Sequence, residues 1–197
     1  MCIKTVYLIR HGETKGNKEK RYIGSRTDEP LSEEGLRKLT KWKENNVKVY
    51  SSPMVRCLQT AKVLFETQNV IVKDGLKEID FGDFEGGNYK ELSGNPDYQK
   101  WIDSGGEMPF PNGESRIDFI NRSYKAFLEI ITQDNSERIA IVCHGGNIMS
   151  VMSRLTDLEY YDFQIECAGG YKLQLGINET GEIDVISYLR IYCGIDT

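Results

Sequence analysis

Thr5-Val6-Tyr7-Leu8-Ile9-Arg10-His11-Gly12-Glu13-Thr14 is the stretch that decides the fold. Up to Ile9 it is an apolar, β-branched and aromatic run without alternation, the pattern of a strand covered on both faces. Thr5–Arg10 is therefore predicted as a buried strand, with the polar group His11-Gly12-Glu13-Thr14 at its carboxyl end. The same pattern recurs at Arg138-Ile139-Ala140-Ile141-Val142-Cys143, a second buried strand followed by His144-Gly145-Gly146.

The remaining elements extend outward from these two. Ser32, with Glu33 and Glu34 behind it, caps a helix predicted to run to about Asn45. Val47–Ser51 reads as a strand, and Pro53 fits the first turn of a helix reaching about Gln68. Val70–Lys73 is another strand. Ser115 opens a long helix to about Thr132, and Gly146–Leu155 forms the next. Tyr171–Ile177 and Ile183–Leu189 flank Asn178-Glu179-Thr180-Gly181, a hairpin signal. Strands alternating with helices predict an α/β fold: a three-layer α/β/α sandwich with a mainly parallel central sheet.

Residues 79–113 break this rhythm. Glycines and prolines are frequent there, while Phe81, Phe84, Tyr89, Tyr98, Trp101 and Phe110 supply apolar side chains that can line a lid or fasten the segment to the core. The segment reads as a lid-like insertion with short helices. A single domain over residues 1–197 is expected, because 197 residues fit one domain better than two.

Bulk chemistry narrows the function. A net charge of −5 argues against nucleic acid as a partner, although local arginines can still hold an anion. The apolar run near the amino terminus is too short for a membrane span or a signal segment, so no membrane partner is expected. Five cysteines, an odd number without a CxxC pair, argue against a disulfide scaffold and point to reduced thiols in the cytoplasm. No third ligand is evident beside the histidines, and arginines would repel a cation, so neither metal nor other cofactor is expected.

The chain has two histidines, and both directly follow a buried strand and precede glycine. One such histidine is more often structural; two at equivalent strand ends can lie side by side. Arg10 and Arg56 stand at element beginnings facing the same edge, and guanidinium groups bind phosphate oxygens in pairs. Glycines at 12, 145 and 146 allow backbone N–H groups and helix dipoles to meet an anion. The expected partner is a small-molecule phosphate ester.

Six ordered blocks then match a family. Arg10-His11-Gly12-Glu13-Thr14, with Asn17 after it, resembles the RHG[ET] signature of the histidine phosphatase superfamily. Asp28-Glu29-Pro30-Leu31-Ser32, Ser51-Ser52-Pro53-Met54-Val55-Arg56, Leu76-Lys77-Glu78-Ile79-Asp80-Phe81-Gly82, Pro111-Asn112-Gly113-Glu114-Ser115 and His144-Gly145-Gly146 resemble its later blocks. The resemblance spans about residues 5 to 150, in the branch that holds phosphoglycerate mutases and small phosphatases.

It implies a phosphohistidine on His11, with Arg10, Arg56 and His144 around the phosphoryl oxygens and Glu78 as proton donor to the leaving oxygen. Asn17 would add a neutral donor, and Thr14, Gly24 and Gly145 further phosphate contacts. Glu114 is expected to close the site edge or cap the Ser115 helix. The segment around Glu78 is most similar to small broad-specificity phosphatases and to the alpha-ribazole phosphatases of cobalamin assembly, so the first substrate named is alpha-ribazole 5′-phosphate. A phosphoglycerate mutase and a non-catalytic phosphate-binding module are the alternatives. The carboxyl-terminal hairpin can close the sheet or form the edge of a homodimer.

Overall fold

The computed structural model describes residues 2–66 and 69–194. Strands β1 (Cys2–Arg10), β2 (Lys48–Ser51), β3 (Val70–Val72), β4 (Arg138–Cys143), β5 (Gly169–Ile177) and β6 (Ile183–Tyr192) form one sheet in the order β3-β2-β4-β1-β5-β6. The β3–β2, β2–β4 and β4–β1 pairs are parallel. The hairpin β5–β6 adds two antiparallel strands beside β1, with β6 as the outer strand of the sheet.

Both faces of the sheet are covered. Because side chains alternate along a strand, Val6 and Leu8 pack on one face with Phe127, Ile130, Ile148 and Met152. Those residues come from α5 (Arg116–Gln133) and α6 (Gly145–Leu155). Tyr7 and Ile9 face the other way, onto Cys57, Ala61 and Leu64 of α3 (Val55–Phe65). This is the predicted three-layer sandwich, and it explains why β1 and β4 are apolar without alternation.

The helix expected from Ser32 to Asn45 is much shorter. Ser32 does cap it, accepting from Gly35 N, but α2 is only Glu33–Lys38. Tertiary contacts override helix propensity beyond that point. Leu39 is buried and bridges Gly194, Thr40 N donates to Cys193 O, and Trp42 sets its ring against Tyr7. An α-helical path would withdraw these groups from the sheet edge. A short helix, α1 (Lys15–Lys18), starts shortly after His11-Gly12. Helix α3 begins at Val55, past Pro53, and Glu66 caps its end in the left-handed region; the expected end near Gln68 lies outside the described residues.

Residues 79–113 hold one regular helix, α4 (Pro96–Asp103), capped by Asn95. The segment has its own small core of Ile79, Phe84, Tyr98 and Phe110, seated on Phe119 of α5. Gly82 makes its fold possible: its φ is +56°, and a Cβ there would lie 2.0 Å from Pro111 O. Among the described residues no helix is long and apolar enough to cross a membrane.

Candidate active site

Parallel pairing brings three strand ends to one edge, where ligands of α/β sheets bind. Arg10 registers with Cys143, and Ser51 with Val142. The next residue on each strand is therefore His11, His144 or Ser52. The two imidazoles meet edge to face, with ring centroids 5.1 Å apart at 67°.

Local bonds fix the state of His11. Its Nδ1 lies 2.7 Å from Gly12 O. A carbonyl oxygen can only accept, so Nδ1 carries the proton and Nε2 keeps its lone pair. Gly12 itself is held by α3, because its N–H donates to Thr60 Oγ1 at 2.9 Å. That N–H is thus spent internally, and Gly12 serves the histidine rather than an anion. Burial drives the His11 pKa well below its ordinary value, and the positive charges of Arg56 and Arg10 lower it further. The ring is neutral at pH 7.

His144 takes the opposite tautomer. Arg56 Nε donates to its Nδ1 at 3.3 Å, which leaves Nε2 to donate to Ser52 Oγ at 2.9 Å. Its pKa too is pushed well down, by burial first and then by Arg56. Both ring nitrogens are engaged, so a bond from His144 to a phosphoryl oxygen requires Nε2 to leave Ser52.

The arginines are braced by carbonyls. Arg56 is fully buried and donates to Thr27 O at 2.9 Å and Gly24 O at 3.0 Å. Arg10 Nη1 donates to Ile165 O at 2.6 Å, while its buried Nε has no partner among the described residues. Gly24 plays a different part from the expected phosphate contact. Its N–H donates to Glu85 Oε1 at 2.8 Å, as does Thr27 N at 3.0 Å. Glu85 thereby holds the loop whose carbonyls hold Arg56. Thr14 caps α1, and its hydroxyl donates to Asn17 Oδ1 at 3.0 Å. Asn17 also receives Thr14 N and Cys167 Sγ on the same oxygen, which orients its amide. Gly145 is the first residue of α6, so its N–H is not consumed by the helix.

Glu78 reaches the site from the segment after β3. It is half-buried, and desolvation of its carboxyl raises its pKa above the ordinary carboxyl value; bonds from Ile79 N and Gly146 N and the charges of Arg56 and Arg10 oppose the rise. Its backbone is clamped from two helices. Arg122 of α5 donates to Gly75 O, Lys77 O and Glu78 O at 2.9, 3.0 and 3.4 Å. Glu114 fixes that guanidinium from its other side, at 3.0 and 2.8 Å. Asn147 of α6 donates to Lys77 O at 3.3 Å and accepts from His144 N at 3.1 Å, joining the acid segment to the second histidine.

Arg122 and Asn147 escape the sequence reading. Asn147 carried a signal, since it stands three residues after His144 at a helix start, the capping-box position. Arg122 carried none. Of the two roles expected of Glu114, closing the site edge or capping the Ser115 helix, the cap is made by Ser115 itself, accepting from Asp118 N, while Glu114 orients Arg122.

Two cavities open beside Arg10. One of about 830 Å³ is lined by Asn17, Glu13, Arg21, Lys38 and Cys167 among others. The other, of about 320 Å³, contains Glu78, Gly145 and Gly146. Among the described residues no group of three or more His, Cys, Asp or Glu side chains is arranged to hold a metal ion.

Residues 6–175 match the profile of the histidine phosphatase superfamily, branch 1. The chain is 31% identical over 167 residues to the metal-independent phosphoserine phosphatase of Arabidopsis thaliana, covering 78% of this chain and 69% of that one. It is 30% identical over 168 residues to the "Probable phosphoglycerate mutase GpmB" of Proteus mirabilis, covering 79% and 76%. Among solved structures, the phosphoserine phosphatase of Entamoeba histolytica in complex with 3-phosphoglyceric acid superposes with a TM-score of 0.72 at 26% identity, covering 94% of this chain and 96% of that one.

Proposed function

The chain belongs to branch 1 of the histidine phosphatase superfamily and is a phosphoric monoester hydrolase; we propose that it works through a phosphohistidine on His11. The observation that carries this reading is the bond from His11 Nδ1 to Gly12 O, which turns a neutral Nε2 lone pair into the free nucleophile of the site.

In the first step His11 Nε2 attacks phosphorus and the P–N bond forms. The bond from phosphorus to the ester oxygen breaks, and the departing oxygen takes the proton of Glu78. The raised pKa of Glu78 supports this role, because the carboxyl must arrive protonated. In the second step the Glu78 carboxylate accepts a proton from water. The water oxygen attacks phosphorus, the P–N bond breaks, and inorganic phosphate leaves with Glu78 protonated again.

Arg10, Arg56, Asn17 and the Gly145 N–H surround the transferring group and stabilise its oxygens. Arg10 brings its unpartnered Nε–H, and His144 adds a donor by exchanging Ser52 for a phosphoryl oxygen. Thr14 and Gly24 act one step back, through Asn17 and Arg56. No metal enters this scheme.

The substrate is a small phosphate monoester. Alpha-ribazole 5′-phosphate is the finer candidate from the sequence, phosphoserine from the relatives, and phosphoglycerate interconversion from the mutase-named relative. Steady-state phosphate release without added metal, on these three and with His11→Ala as control, tests the reading. Hydrolysis that vanishes in His11→Ala upholds it. Interconversion of phosphoglycerates without phosphate release favours the mutase, and neither reaction leaves a binding module.

A further inference from the structure

Resting on that hydrolase reading, we propose that the cavity beside Glu78 selects alcohols bearing a planar aromatic group.

The cavity that contains Glu78 is where the leaving alcohol must sit, since the proton donor lies on its wall. At about 320 Å³ it is at the small end of ligand clefts. Six of its lining residues are aromatic: Tyr22, Phe81, Trp101, Phe110, Tyr160 and Tyr161. These rings are already ordered against one another. Trp101 tilts on Phe110 with centroids 5.0 Å apart, Tyr22 meets Phe81 at 5.2 Å, and Tyr160 meets Tyr161 edge to face at 5.1 Å. A flat ring entering such a wall finds edges and faces at van der Waals distance without any side chain having to be ordered first.

Charge in the cavity has one sign apart from the catalytic acid. Arg116 lies with its guanidinium 5.9 Å from the Tyr160 ring and 5.7 Å from the Tyr161 ring. Glu107, its acidic partner, is exposed and 3.5 Å away. Glu78 is the sole carboxylate among the described residues of the lining, and its function needs it protonated. A π-face meets a cation that favours it.

The test compares kcat/KM for four esters whose leaving oxygens are all alkyl, so that intrinsic reactivity is similar: quinolinylmethyl, naphthylmethyl and isobutyl phosphate, and phosphoserine. The proposal expects both arylmethyl esters to exceed isobutyl phosphate and phosphoserine by about tenfold or more. Tyr161, which is 47% exposed, can be truncated at little risk to folding; Tyr161→Ala should shrink the naphthylmethyl-to-isobutyl ratio severalfold while the melting temperature holds. Phosphoserine matching the arylmethyl esters, or an unchanged ratio in Tyr161→Ala, overturns the proposal and leaves the hydrolase reading standing. Hydrolysis of none of the four, together with no phosphohistidine, overturns both.

Discussion

Gly146 and Glu78 are in direct contact: the Gly146 N–H donates to Glu78 Oε2 at 3.4 Å, and a Cβ at 146 would lie 2.4 Å from Glu78 Oε1. The same Cβ would lie 2.7 Å from the Phe119 ring, so it has nowhere to retreat. Gly146→Ala should displace the carboxyl and lower kcat by about 10- to 100-fold, the scale of an ångström-sized misplacement. KM should change less, because the phosphate contacts stay in place. Steady-state kinetics on any turned-over ester checks the split.

Glu78→Gln separates activity from stability. Turnover should fall by about a hundredfold or more with loss of the proton donor. Stability should move the other way. The folded pKa of Glu78 is raised, so as pH climbs past the unfolded value of 4.5 the unfolded chain ionises while the folded one keeps its proton. Folding stability is then lost with rising pH until the folded pKa is passed. Glutamine has no such dependence, so thermal melts should show the variant gaining on wild type from pH 5 to pH 8.

The pH profile of kcat/KM follows from the same groups. The proposed scheme needs Glu78 protonated and His11 neutral. It should decline as pH rises through the raised Glu78 value, and persist on the acid side until His11 protonates, well below 6.5. Stability limits that acid side. His11 and His144 both have lowered folded pKa values, so below 6.5 the unfolded chain takes up protons that the folded one refuses, and stability falls with pH. Melting temperatures of wild type and His144→Gln between pH 7 and pH 5 should diverge, with wild type losing more.

Arg122 is a positioning residue for the acid. Arg122→Met removes the clamp on the carbonyls of Gly75, Lys77 and Glu78 and leaves Glu114 unpaired. The expected result is a kcat reduced about tenfold or more, with the alkaline limb of the pH profile displaced because Glu78 is no longer held in its buried setting. Arg122→Lys should recover part of the loss. A purely structural role would lower the amount of folded enzyme without moving that limb.

Much of this architecture was legible in the sequence, because β1 and β4 hold the unbroken apolar runs Val6–Ile9 and Ile139–Cys143 and each strand is followed by histidine and glycine. Parallel pairing of such strands is enough to set His11 beside His144. The helix after Ser32 was not legible, since its early stop depends on Leu39, Thr40 and Trp42 meeting residues more than twenty positions away, up to Cys193 and Gly194. Of the site, the charged and nucleophilic groups stood out by their places at element ends. Their supports did not: Arg122 looks like any arginine on a helix, and Glu85 and Gly24 reveal their task only through the loop that braces Arg56. The His144 bond to Ser52 likewise depends on rotamers that no spacing encodes.

The central claim is that phosphorus becomes bonded to His11. The most direct measurement is to mix enzyme with a turned-over ester, quench in alkali within the first turnover, and map the modified peptide by mass spectrometry. One added phosphoryl group is expected on the peptide containing His11, acid-labile and alkali-stable, and forming more slowly in a Glu78→Gln variant that lacks the proton donor. A phosphoryl group on any other residue, or turnover that persists in His11→Ala, would contradict it.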